Sequence, residues 1–92
     1  MSTNPRRNPD TSFRRIGDEG GLVVLPGRAE VKVLNPAAIQ IFSMLDGKHT
    51  AEEIATTVAA EFEVSYENAL ADLKAFLAEL SEHGMLAVEA EA

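Results

Sequence analysis

The spacing of apolar residues in this 92-residue chain changes once, at Asn35-Pro36, and that switch constrains the fold more than any other feature. Before it, apolar residues come in short β-prone runs: SFRRIGD supplies Phe13 and Ile16, GLVVLP is a compact apolar stretch, and AEVKVL alternates Val31 and Val33 with Glu30 and Lys32. DEGG and PG are turn chemistry between the runs. Glycines at 20, 21 and 27 tolerate positive φ, and Pro26 presets a turn. The expected arrangement is a three-stranded antiparallel meander whose third strand spans Ala29 to Leu34.

After the switch the period is helical. Asn35 is a good N-cap, Pro36 suits the first helical position, and Ala38, Ile41, Phe42 and Leu45 share a face that Gly47 ends. Thr50 and Glu53 form a capping box for a second helix with Ala51, Ile54, Ala55, Val58 and Phe62 on one side. Ser65 caps a third helix, striped by Tyr66, Leu70, Leu73, Leu77 and Leu80 and stopped at Gly84, after which MLAV suggests a short extended segment. None of these elements can hide its apolar side alone. The expectation is therefore an α+β domain, winged helix-turn-helix-like, with the three-stranded antiparallel sheet followed by three helices. The chain divides into a flexible arm at 1–11 with solvated arginines, a folded body at 12–88, and a frayed tail at 89–92.

The stretch LDGKHTAEEIA joins two helices through a tight turn, which raises DNA binding as a possibility. Charge argues against it. Residues 1–34 carry six bases against four acids, whereas residues 35–92 carry two bases, Lys48 and Lys74, against eleven acids, so the helical part repels phosphates. Cysteine is absent, which excludes disulfides and thiolate sites and fits a reducing compartment. The start, MSTNPRRNPDTS, lacks a signal peptide's apolar stretch, and no run approaches the roughly 20 apolar residues of a membrane span. The expectation is a cytoplasmic protein with no membrane or nucleic-acid partner.

Catalytic constellations are missing. His49 reads as a turn residue and His83 as a neighbour of the negative end of the third helix. Glu52 and Glu53 read as helix-start charges, and Gly20-Gly21 is not followed by a helix at phosphate-binding spacing. The chain is expected to be no enzyme, with no cofactor and no metal.

Two features exceed what packing requires. The third strand is an outer strand of the meander, which leaves one row of backbone groups unpaired; Glu30 and Lys32 there either discourage aggregation or flank a peptide site. Phe76 sits roughly 80° from the centre of the third helix's stripe, beside Ala69, at about 100° per residue. It is either a core-edge aromatic or the apolar wall of a groove. A strand edge beside a helix wall forms a slot for an extended peptide.

The order of elements, read with VVLP, VKVLNPAAIQIFSMLDGKHTAEEIA and LADLKAFLAELSEHGML, resembles the PqqD family, also called RiPP recognition elements. Leu34-Asn35, the Leu45-Asp46-Gly47 turn followed by Thr50, Glu53 and Ile54, and the closing FLAEL and HGML carry the resemblance, which covers residues 12–88. It implies a non-enzymatic chaperone that binds the leader of a ribosomally made precursor peptide by strand addition and presents it to a modifying enzyme such as a radical SAM maturase. The positions it implies are Arg28, Glu30, Val31, Lys32, Val33 and Leu34 on the strand side and Ala69, Asp72, Leu73 and Phe76 on the helix. LPGRAE departs from the pyrroloquinoline quinone members, where an acid follows the proline soon after, and Arg28 and Lys32 suit an acidic leader. The alternatives are a DNA-binding winged-helix regulator and a structural subunit that self-associates, as a homodimer, through the open strand edge.

Overall fold

The computed structural model describes residues 4–87, so the tail expected at 89–92 lies outside the described residues. Three strands come first: β1 (Ser12–Arg15), β2 (Gly21–Leu25) and β3 (Glu30–Leu34), antiparallel in the order β1-β2-β3. Three helices follow: α1 (Pro36–Ser43), α2 (Ala51–Phe62) and α3 (Tyr66–Glu82). The α+β architecture and its element order are those read from the sequence.

The turns differ in detail. Gly20 takes φ +117, but Gly21 does not have positive φ; it begins β2, where a Cβ would stand 2.4 Å from the Arg14 carbonyl oxygen and 2.8 Å from Ile39. Only a bare backbone fits between β1 and α1 at that point. Between β2 and β3, Pro26–Arg28 form a single 3₁₀ turn closed by Ala29 in the left-handed region, so β3 begins at Glu30 rather than Ala29.

Asn35 caps α1 by accepting from the Ala38 N–H at 2.8 Å, and Thr50 with Glu53 completes both bonds of the capping box on α2. Ser65 accepts from the Asn68 N–H at 3.1 Å. Each cap satisfies a donor that the helix geometry leaves orphaned. The core joins Val23, Leu25 and Leu34 from the sheet to Ile39, Phe42, Leu45, Ile54, Val58, Leu73, Leu80 and Met85. Helix α1 packs on one face of the sheet and α3 reaches the same face through the side-chain pairs of Glu30 and Lys32, while α2 packs against α1 and α3. The other face carries Leu22, Val24, Val31 and Val33, with Val31 59% and Val33 77% exposed.

Helix α1 stops at Ser43, four residues before Gly47, and the expected flexible arm supplies the reason. The Arg7 guanidinium donates to the carbonyls of Phe42, Ser43 and Leu45 at 3.2, 3.3 and 3.3 Å, and lies 4.9 Å from the Phe13 ring centroid. A cation on the last carbonyls of a helix satisfies acceptors that would otherwise need another turn. The backbone around Arg7 is held as well: Arg7 N–H donates to Leu45 at 2.8 Å, Asn8 N–H to Met85 at 2.9 Å, and Ala87 N–H to Arg6 at 2.9 Å. Residues 4–8 thus lie between the end of α1 and the segment after α3, and Arg7 is not the solvated side chain expected. Replacing Arg7 by Ala should lower unfolding free energy by about 2 kcal/mol in urea titration, since charged hydrogen bonds to partly buried carbonyls are lost. Arg7→Lys should recover less than half of this, because an ammonium cannot span three carbonyls and stack on Phe13 together.

Candidate functional site

Antiparallel pairing alternates between hydrogen-bonded and non-hydrogen-bonded residue pairs, so one bond fixes the direction of all the others. Ile16 N–H donates to Gly20 at 2.8 Å, in register with the pairs Arg14↔Leu22 and Ser12↔Val24. Leu22 and Val24 therefore bond to β1, while Gly21, Val23 and Leu25 bond to β3 through Leu34, Lys32 and Glu30. It follows that the N–H and C=O of Val31 and Val33 point away from β2. Among the described residues no strand takes them.

The same alternation sorts the side chains. Val31 and Val33 stand on the uncovered face, whereas Glu30, Lys32 and Leu34 point to the helix side, where Leu34 is buried and the two charges are half-buried. Both charges end on α3: Lys32 pairs with Glu79, and Glu30 with Nδ1 of His83. Residues 30 and 32 thus meet 83 and 79, so the last turns of α3 run antiparallel to β3, and Asp72 and Phe76 precede Glu79 and His83 on the same side of the helix. The open edge of β3 and the α3 stripe Asp72, Phe76, Glu79 and His83 make up the candidate slot, joined through Glu79 and His83. Its Leu34 end is apolar and its Glu30 end ionic.

The structure joins Glu30 and Lys32 to α3 through His83 and Glu79, and it differs from expectation at several other positions. Ala69 and Leu73 are 2% and 0% exposed, so they back the wall from inside rather than line it. Phe76 is half-buried against the core, and the buried stripe of α3 runs through Ala69, Leu73 and Leu80, which puts Phe76 about 40° from its centre rather than 80°. Tyr66, expected on that stripe, is 39% exposed. Arg28 reaches over the end of α3, so near Gly84 that an added Cβ would stand 2.6 Å from Nη1.

Glu79 and His83 escaped sequence reasoning. His83 pairs with Glu30 instead of serving the end of its own helix, and the signal available was the 4-3-4 spacing of 72, 76, 79 and 83. The Lys32 ammonium, by hydrogen bond and by charge, holds the Glu79 carboxyl below the usual glutamate range. Elsewhere, the backbone N–H of Lys48 and the neighbouring His49 hold the Asp46 carboxyl low in the turn before α2. Among the described residues no three His, Asp or Glu side chains gather as a metal site, and no helix is long and apolar enough to cross a membrane. Lys32→Ala should raise the Glu79 carboxyl back to the ordinary glutamate range, as a carboxyl-detected NMR titration would register. A Glu79 titration unchanged by the substitution would show that the pair does not persist in solution.

The family model described as coenzyme PQQ synthesis protein D (PqqD) matches residues 21–86. No curated protein matches the chain. Among solved structures, a lasso peptide synthetase B1 complexed with the leader peptide is 27% identical, with a TM-score of 0.78 over 92% of this chain and 99% of that one. TbiB1 in complex with the TbiA(β) leader peptide is 23% identical, with a TM-score of 0.79 over 95% and 98%. The PqqD truncation of Methylobacterium extorquens PqqCD, a stand-alone RiPP recognition element solved by NMR, is 20% identical, with a TM-score of 0.75 over 91% and 88%. The last two share the fold with this chain.

Proposed function

This chain belongs to the PqqD family, and on that premise we propose that it is a non-enzymatic chaperone for the leader of a ribosomally made precursor peptide. The observation that carries the reading is the free row of Val31 and Val33 backbone groups on the strand that α3 joins through Glu79 and His83. An incoming strand finds two donors and two acceptors already aligned, and its alternate side chains fall between β3 and α3. Backbone bonds give sequence-tolerant affinity. The wall gives selectivity.

The partner proteins that fit are the precursor peptide and the enzyme that modifies it, with a radical SAM maturase the first class to test. The compartment that fits is the cytoplasm, where ribosomal precursors emerge. The binding positions in this reading are Val31 and Val33 through their backbones, Glu30, Lys32 and Arg28 at the ionic end, and Leu34, Asp72 and Phe76 at the apolar end, with Ala69 and Leu73 supporting. The open edge also supports a second reading, a homodimer paired through β3, which sizing of the purified chain would register. DNA binding is the weakest alternative, because α2 and α3 bring acids toward any duplex.

Titration of labelled leader peptides encoded beside the gene tests the proposal. Val33→Pro deletes an edge-facing donor while leaving the bonds to β2, so binding should fall by about tenfold or more with the fold retained by circular dichroism. Phe76→Ala should weaken binding about tenfold and lower stability by about 1 to 2 kcal/mol, less than a fully buried Phe would cost. Affinity untouched by both substitutions would sink the slot.

A further inference from the structure

The two ion pairs that cross from β3 to α3 are unequal. Lys32–Glu79 joins two formal charges, and Lys32's side chain is 20% exposed. Glu30–His83 joins a carboxylate to an imidazole, which carries charge only when protonated, and His83's side chain is 40% exposed with solvent at hand. The second pair is the one that yields when a strand enters. Resting on the peptide-binding reading above, we propose that the leader carries a lysine or arginine that takes Glu30 from His83.

Register fixes where this cation sits. A strand laid antiparallel on Val31 and Val33 exchanges backbone bonds with those two residues. Its side chains opposite Glu30 and Lys32 then lie in non-hydrogen-bonded pairs, where side chains approach most closely. Opposite Leu34, the apolar residue on this face of β3, the slot takes an apolar side chain. Because the added strand runs against β3, its cation comes four residues after its apolar anchor, the interval from Leu34 back to Glu30. The position between them faces Lys32, whose charge Glu79 already occupies. Arg28 and Lys32 were expected to suit an acidic leader, but one is turned to Gly84 and the other is paired.

Charge around the slot agrees. Glu30 and Glu79 are the acids of the β3–α3 contact and Asp72 lies on the same α3 stripe, against Lys32, paired with Glu79, and Arg28, turned to Gly84. The whole chain carries −7, which favours the encounter with a basic peptide.

Selection of a random dodecapeptide display library on the full chain tests the proposal. Wild type should enrich peptides with Lys or Arg four residues after an apolar residue. Glu30→Lys should exchange that preference for Asp or Glu, and the milder Glu30→Gln should bind the selected peptide on the order of tenfold more weakly. Moving the cation by one residue puts it on the opposite face, beside Val31, and should cost as much as Glu30→Gln, which separates this contact from general attraction to an acidic protein. Enriched extended peptides with no charge preference at that position, or a preference that Glu30→Gln leaves intact, would overturn the proposal while the peptide slot stands. Failure of wild type to enrich any extended peptide would overturn the peptide-binding reading and this inference with it.

Discussion

The alternation of hydrogen bonds across three antiparallel strands governs this molecule. The central strand, β2, spends Leu22 and Val24 on β1 and Gly21, Val23 and Leu25 on β3. Its two neighbours are each left with one satisfied side. That geometry puts the free backbone groups of β3 on Val31 and Val33 and, by the same rule, turns their side chains away from the helices. The two edges are not alike. At β1 the edge-facing residues are Phe13, over which Arg7 is stacked, and Arg15, which is bonded to Gln40 and Ser43 of α1. At β3 a helix runs alongside, joined to the strand through two side-chain pairs.

The helix wall depends in turn on how α3 is held. Its N-terminus is capped by Ser65, and at its C-terminal end Gly84 adopts φ +72 while Met85 N–H returns to Leu80 at 2.9 Å. This closure sends Met85 into the core and delivers Leu86 to its bridge with Arg7. Arg7 then ties the same short segment to the last carbonyls of α1. The placement of Glu79 and His83 opposite β3 therefore rests on contacts made by residues far away in sequence.

Element order, caps and most of the core could be read from the sequence, because Asn35, Thr50, Glu53 and Ser65 act locally and apolar period reports which side of each element is covered. What could not be read is what depends on distant partners. Arg7 sits in a polar stretch with no periodicity, and its carbonyl partners lie more than 30 residues away. The alternation of AEVKVL is visible, but which half faces the helices is not: the valines take the uncovered face and the charges go inward, because Lys32 and Glu30 find Glu79 and His83 there. The sequence leaves Phe76 as either a core-edge aromatic or a groove wall, and gives no sign that Glu79 and His83 reach β3. Four leucines and a tyrosine dominated the count on α3, and the buried stripe follows Ala69, Leu73 and Leu80 instead.

Val31 and Val33 present solvent with bare backbone and branched hydrocarbon on one short strand, a combination that in a neutral protein invites copies to zip together into fibres. Eleven of the fifteen acids lie after Asn35, so two such strands approach each other behind helices of like sign. Like charge on the helical half opposes that approach by repulsion, which salt screens.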